Sequence, residues 1–185
     1  MSRDVHNGPT DQHHEARGTP YTGASEAKPS PEPQALPLDS WHRSRGARMV
    51  EFAGYAMPVQ YEGIMAEHLW TRENAGLFDV SHMGQLYFHG REVDTALEKL
   101  LPSELKGLAD RKLRYSMLLD DSGGIIDDLM ATRRGDDFYL VVNGATKHGD
   151  LDVMRHLLPE ELMIDHMTGQ ALLALQGPKA VDVLE

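Results

Sequence analysis

From Leu36 onward, apolar positions recur with either a strand period or a helix period, and the switches between the two outline the elements. Gly84 to Phe88 alternates, with Leu86 and Phe88 pointing one way and Gln85 and Tyr87 the other. Tyr115 to Leu119 and Ile125 to Thr132 are apolar, partly β-branched runs separated by Asp120-Asp121-Ser122-Gly123-Gly124. Those five residues supply the positive φ and the side-chain-to-backbone bonds of a tight turn, so the two runs read as a hairpin. A second turn, Arg133 to Asp137, leads into a third strand, Phe138 to Val142. Ala47 to Phe52, Leu162 to His166 and Ala171 to Gln176 also read as strands. Ala53 to Tyr61, punctuated by Gly54 and Pro58, reads as an extended loop.

Helical spacing appears in three longer segments. Ile64 to Asn74 carries a stripe of Ile64, Met65, His68 and Leu69, with Gly76 as a left-handed cap. Glu92 to Leu101 carries Val93, Ala96, Leu97 and Leu100, and Pro102 stops it. Ala145 to Leu158 turns Leu151, Met154 and Leu158 inward, while Gly149 weakens it by about 1 kcal/mol relative to Ala. Asp39 or Ser40 is placed to cap a short turn holding Trp41, and Gly177-Pro178 to open a last helix with proline in first position. That helix has barely two turns before Glu185, which suggests a sequence cut inside a longer protein. Strands in antiparallel hairpins with helices inserted between them make the class α+β.

Composition changes this picture at the amino terminus. Six of the ten prolines precede Leu38, and large aliphatic residues are nearly absent there. Residues 1–35 are therefore expected to be a disordered polar tail, and residues 36–185 the folded part. The formal net charge of −11 opposes nucleic-acid binding and anionic membrane surfaces. No apolar run approaches the roughly 18 residues of a membrane span. With no cysteine, thiol catalysis and thiolate metal sites are excluded. No signal peptide or Arg-rich transit peptide is legible, so a cytoplasmic location is expected.

The chemistry concentrates in Ile125 to Met130, where Asp127 and Asp128 interrupt an apolar strand. Burying a carboxylate is costly unless it is paired or used, and neighbouring strand side chains face opposite ways. One aspartate points inward and the other away. Periodicity does not say which, and an edge carboxylate that is merely paired or solvated has the same pattern. An inward carboxylate among Ile, Leu and Met is the leading candidate for chemistry. His13-His14 lacks further ligands, and no His-x-x-x-His pair occurs at His68 or His82, so no metal is predicted. His68 reads as a satisfied core histidine, and His82 as a structural one bonded to backbone.

Six segments, in order, carry a resemblance: Met49-Val50-Glu51-Phe52-Ala53-Gly54-Tyr55, Met57-Pro58-Val59-Gln60-Tyr61, Phe78-Asp79-Val80-Ser81-His82-Met83-Gly84, Gly123-Gly124-Ile125-Ile126-Asp127-Asp128-Leu129, Val141-Val142-Asn143-Gly144-Ala145 and Ala174-Leu175-Gln176-Gly177-Pro178. Together they resemble the glycine cleavage system T-protein family, over the whole of the expected folded part. The resemblance implies a folate-binding first domain of an aminomethyltransferase. Such an enzyme takes an aminomethyl group from the lipoyl arm of the H-protein, passes the methylene to tetrahydrofolate and releases ammonia. It assigns Asp128 the task of holding and activating the attacking pterin nitrogen, and Met83, Tyr115, Val141 and Asn143 to the folate pocket. A longer family chain supplies the rest of that pocket. Other readings in the same superfamily are a sarcosine- or dimethylglycine-dehydrogenase-type enzyme, a demethylase, or a non-catalytic folate-binding assembly factor. On this reading Asp128→Asn costs turnover, whereas Asp127→Asn does little.

Overall fold

A computed structural model describes residues 32–185. The expected tail lies outside the described residues as far as residue 31. Its boundary falls two residues earlier than Leu36, because β1 (Gln34–Ala35) already pairs in parallel with Tyr55 and Ala56. Helix α1 (Asp39–Ser44) follows with Leu38 at its N-cap and no side-chain capping bond, so neither Asp39 nor Ser40 is the cap. Asp39 instead accepts from Arg43 Nε at 2.8 Å, one turn along.

Strands β2 (Arg48–Phe52) and β3 (Tyr55–Gln60) form an antiparallel hairpin where a loop was expected after Phe52. Ala53 and Gly54 both have positive φ, the geometry of a two-residue hairpin turn. Pro58 is tolerated because β1 pairs only with Tyr55 and Ala56, which leaves that edge of β3 open beyond them. Helix α2 (Ile64–Glu73) forms as expected, but none of its residues is buried. Its Ile64, Met65 and Leu69 stripe is exposed, and His68 with it, so the reading of His68 as a core residue is corrected. Gly76 does not cap this helix. It begins β4 (Gly76–Asp79), which pairs with the later β10 (Leu173–Gln176).

The remaining strands form one five-stranded antiparallel sheet in the order β6-β7-β8-β5-β9. They are β5 (Gly84–His89), β6 (Leu113–Leu119), β7 (Ile125–Arg134), β8 (Asp137–Val142) and β9 (Met163–His166). Helices α3 (Val93–Leu97) and α4 (Lys147–Leu157) supply the apolar side chains that cover one face. On that face Leu86, Phe88, Leu118, Leu129, Ala131 and Leu140 join Val93, Leu97, Leu151 and Met154 in a single core. Glu92 has a left-handed φ of 52° and is the N-cap of α3, so the helix starts with its stripe at Val93, one residue after the expected Glu92, and ends at Leu97 rather than Leu101. Gly177, at φ 114°, precedes α5 (Ala180–Leu184), and Lys179 rather than Pro178 stands at its start. A Cβ on Gly177 would lie 2.4 Å from the Asn74 carbonyl oxygen, so the backbone approach there needs glycine.

The antiparallel α+β class is therefore the observed one. No described helix is long and apolar enough to cross a membrane.

Candidate active site

The turn before β7 sets the register of everything after it. Asp120 Oδ1 accepts from the Ser122 and Gly124 amides, each at 2.8 Å, and Gly123 takes a φ of 82°. A bulge between Leu118 and Leu119 absorbs Ile126, so that Asp127 stands opposite Leu118 and Asp128 opposite Met117. Leu118 and Leu129 belong to the core, so Asp127 shares the core face. Asp128 lies on the other face. The inward carboxylate is thus Asp127, whereas the resemblance assigns the chemistry to Asp128.

Two of the expected pocket residues, Tyr115 and Val141, share the face of Asp128. Tyr115, Met130 and Val141 form one cross-strand row over β6, β7 and β8. Asp128 sits two residues along β7 from Met130, the diagonal position that an aromatic side chain on the next strand can reach. Asp128, as a nearby acceptor and then, after burial, as a charge, holds the Tyr115 phenol above its ordinary pKa. Tyr115 remains 60% exposed while Val141 is buried, giving a face with an apolar floor and an open aromatic wall. Met83 immediately precedes the Gly84–Val142 pair, which puts it at the same end of the sheet as Asn143.

Asn143 ties the two acids together. It follows the last residue of β8, where the strand register no longer fixes its side chain. Its Nδ2 donates to Asp127 Oδ1 at 2.8 Å and also reaches the Asp128 carbonyl oxygen at 3.2 Å and Asp128 Oδ1 at 3.1 Å. Thr146 Oγ1 donates to the other oxygen of Asp127. Burial acts to raise the Asp127 pKa, but the bonds from Thr146 and Asn143 outweigh it and hold the carboxyl below its usual range. Asp127 thus serves as the common acceptor for Asn143 and Thr146.

Sequence reasoning missed Thr146 and Asp150. Asn143, Thr146 and Asp150 follow at spacings of three and four, which is one face of a helix, and Met154 continues it into the core. That polar extension of a buried stripe was the available clue. Lys147 was missed as well. It is buried, with Nζ donating to the Tyr55 hydroxyl at 2.7 Å and to the His82 carbonyl oxygen at 2.8 Å. The His82 ring is not bonded to backbone as expected. Its Nδ1 has no partner among the described residues, and its ring stacks edge-on against Phe52 at 5.4 Å. Burial, then the nearby Lys147 charge, lower its pKa.

Surface depressions beside Arg155 and Leu158, and beside Asp94 and Arg133, lie away from Asp128. Among the described residues no group of three or more His, Cys, Asp or Glu side chains is arranged to hold a metal ion.

Sheet, helices and carboxylate–amide cluster together define an antiparallel α+β domain that presents an acid on its open face. The crystal structure of glycine cleavage system aminomethyltransferase T from Bartonella henselae matches 82% of this chain with a TM-score of 0.77 and 38% identity, using 42% of its own length. Residues 38–185 match the GCVT N-terminal domain, and the chain belongs to that family. It is 46% identical over 151 residues to an aminomethyltransferase of Rubrobacter xylanophilus and 43% identical over 155 residues to one of Synechococcus elongatus. Those matches take in 80% of this chain but 41% and 42% of the relatives, so the chain spans about two fifths of their length.

Proposed function

We propose that this chain provides the first part of an aminomethyltransferase of the glycine cleavage system. Its substrates are tetrahydrofolate and the aminomethyl-loaded lipoyl arm of the H-protein. The methylene passes to the folate and ammonia leaves. The observation that carries this reading is the gathering of Asp128, Tyr115 and Val141 on one open face of the sheet, with Asn143 holding the carboxylate. A flat pterin or benzoyl ring suits the Val141 floor and the Tyr115 wall. The Asp128 carboxylate stabilises positive charge that develops on the attacking ring nitrogen, and more strongly as water is excluded. Asn143 adds an amide edge and Met83 an adaptable apolar contact. Open on one side, this face supplies part of a pocket, and the length of the relatives beyond the matched part is the source of the remainder. A cytoplasmic location accords with this activity, and the chemistry requires no metal.

The test is ammonia release and methylene-tetrahydrofolate formation from an aminomethyl-loaded lipoyl carrier, measured with and without tetrahydrofolate. Folate-dependent transfer that Asp128→Asn abolishes supports the reading. Folate binding without any transfer, under conditions where a full-length relative turns over, overturns it in favour of a non-catalytic folate protein.

A further inference from the structure

Helix α4 buries an acid that the reading above does not use. Asp150 is 1% exposed, and its Oδ2 meets no hydrogen-bond partner among the described residues. Its amide bonds the Thr146 carbonyl at 3.0 Å, one turn back on α4, and the Thr146 hydroxyl donates to Asp127, which brings Asp150 beside the Asp127 carboxylate. Two carboxylates can share a hydrogen bond only when one carries the proton, and in a buried site both cannot be charged. Asp127 already accepts from Asn143 and Thr146, which favours its ionised form. Of the groups acting on Asp150, Asp127 on β7 is the charged one and Thr146 on α4 is neutral. Lys147 turns its ammonium away, to Tyr55 and the His82 carbonyl. The proton therefore belongs on Asp150. Burial, and then the bond and charge of Asp127, push its pKa up to about 7.

We propose that Asp150 is a positioning residue: a neutral carboxyl that donates to Asp127 and thereby fixes Asn143, and through Asn143 the carboxylate of Asp128. Its value for catalysis rests on the reading of Asp128 given above, but the linkage itself does not. Ionisation of Asp150 places a second negative charge against Asp127 and loosens the acceptor that anchors the Asn143 amide.

The linkage is tested in this chain by NMR titration, following aspartate carboxyl carbons and the Asn143 side-chain amide together. One aspartate carboxyl is expected to titrate near 7, with the Asn143 amide resonances moving at the same midpoint. In Asp150→Asn, whose amide still donates but does not titrate, both transitions are expected to vanish while the Asn143 amide keeps its low-pH position. The proposal is overturned if no aspartate titrates above about 5.5, or if the Asn143 amide stays flat through the transition. Should Asp150→Asn fail to fold, the wild-type titration decides alone. Coupled titration without folate-dependent transfer sinks the functional reading and supports the linkage. Transfer without coupled titration does the reverse.

Discussion

Asn143 and Asp128 meet at two points: the amide nitrogen lies 3.1 Å from the carboxylate and 3.2 Å from the carbonyl oxygen of the same residue. The same nitrogen is anchored to Asp127 at 2.8 Å. A group that touches both main chain and side chain of one residue restricts its rotamer as well as its position. The orientation of Asp128 is thereby tied to the opposite face of the sheet.

Asp128→Asn and Asp127→Asn should therefore fail differently. The first removes charge beside the proposed pterin nitrogen, and turnover is expected to fall by about 10²–10³ with little change in tetrahydrofolate affinity. The second disturbs acceptors for Asn143, Thr146 and Asp150, and is expected to cost roughly 1–3 kcal/mol of stability. Transfer kinetics beside urea unfolding of both variants separate the two. Equal turnover losses at equal stability would contradict the face assignment.

Stability should fall as pH rises from about 4 to about 7, by the contribution of Asp150. Its folded pKa is raised, so the native state holds a proton that the unfolded state releases through this window. The stabilisation is complete below the unfolded value near 3.9 and is lost as pH passes the folded one. One such group gives a slope of up to about 1.4 kcal/mol per pH unit. Burial lowers the pKa of both His82 and His166, and these two groups make stability rise with pH. The difference between wild type and Asp150→Asn, measured by urea unfolding at several pH values, isolates the aspartate.

Gly149→Ala should stabilise the fold by about 0.5–1 kcal/mol. Gly149 is an exposed interior position of α4 with no positive φ, and a Cβ there meets nothing within 4 Å. A rise in thermal midpoint checks it.

His42→Leu should cost roughly 2–3 kcal/mol. His42 is buried, with Nε2 at 2.7 Å from Asp79 Oδ2 and Nδ1 at 2.5 Å from the Tyr61 hydroxyl. Burial alone would raise the Asp79 pKa, but bonds from Ser81 and His42 bring it below the usual range. Removing the imidazole leaves that carboxylate short of a partner. Chemical unfolding measures the loss.

The β6–β7–β8 hairpins were legible because their turns use residues with no other purpose: Gly123 and Gly135 both have positive φ. The inward stripes of α3 and α4 were legible because the helices pack where their periodicity points. The stripe of α2 was misleading. Periodicity reports a face that could be buried, not the surface that would cover it, and Met65 is 67% exposed. Gly54 and Pro58 read as loop punctuation, yet a two-residue turn and an open strand edge accommodate them. Within the site, Asp128, Tyr115 and Asn143 could be named from motifs. Their division between faces could not, because the bulge at Ile126 and the docking of α4 are set by distant parts of the chain. Asp150 is invisible for the same reason: its partner is 23 positions earlier, by its number and that of Asp127.

Because Asp127 and Asp128 are adjacent and face opposite ways, the two labours of this strand differ by one step of the pleat. Inserting a single residue between Asp128 and Leu129 would send the anchoring acid outward and turn Asp128 into the oil of the core. Length errors in this short stretch should be punished far more severely than changes of side chain, so evolution has little freedom there to insert or trim.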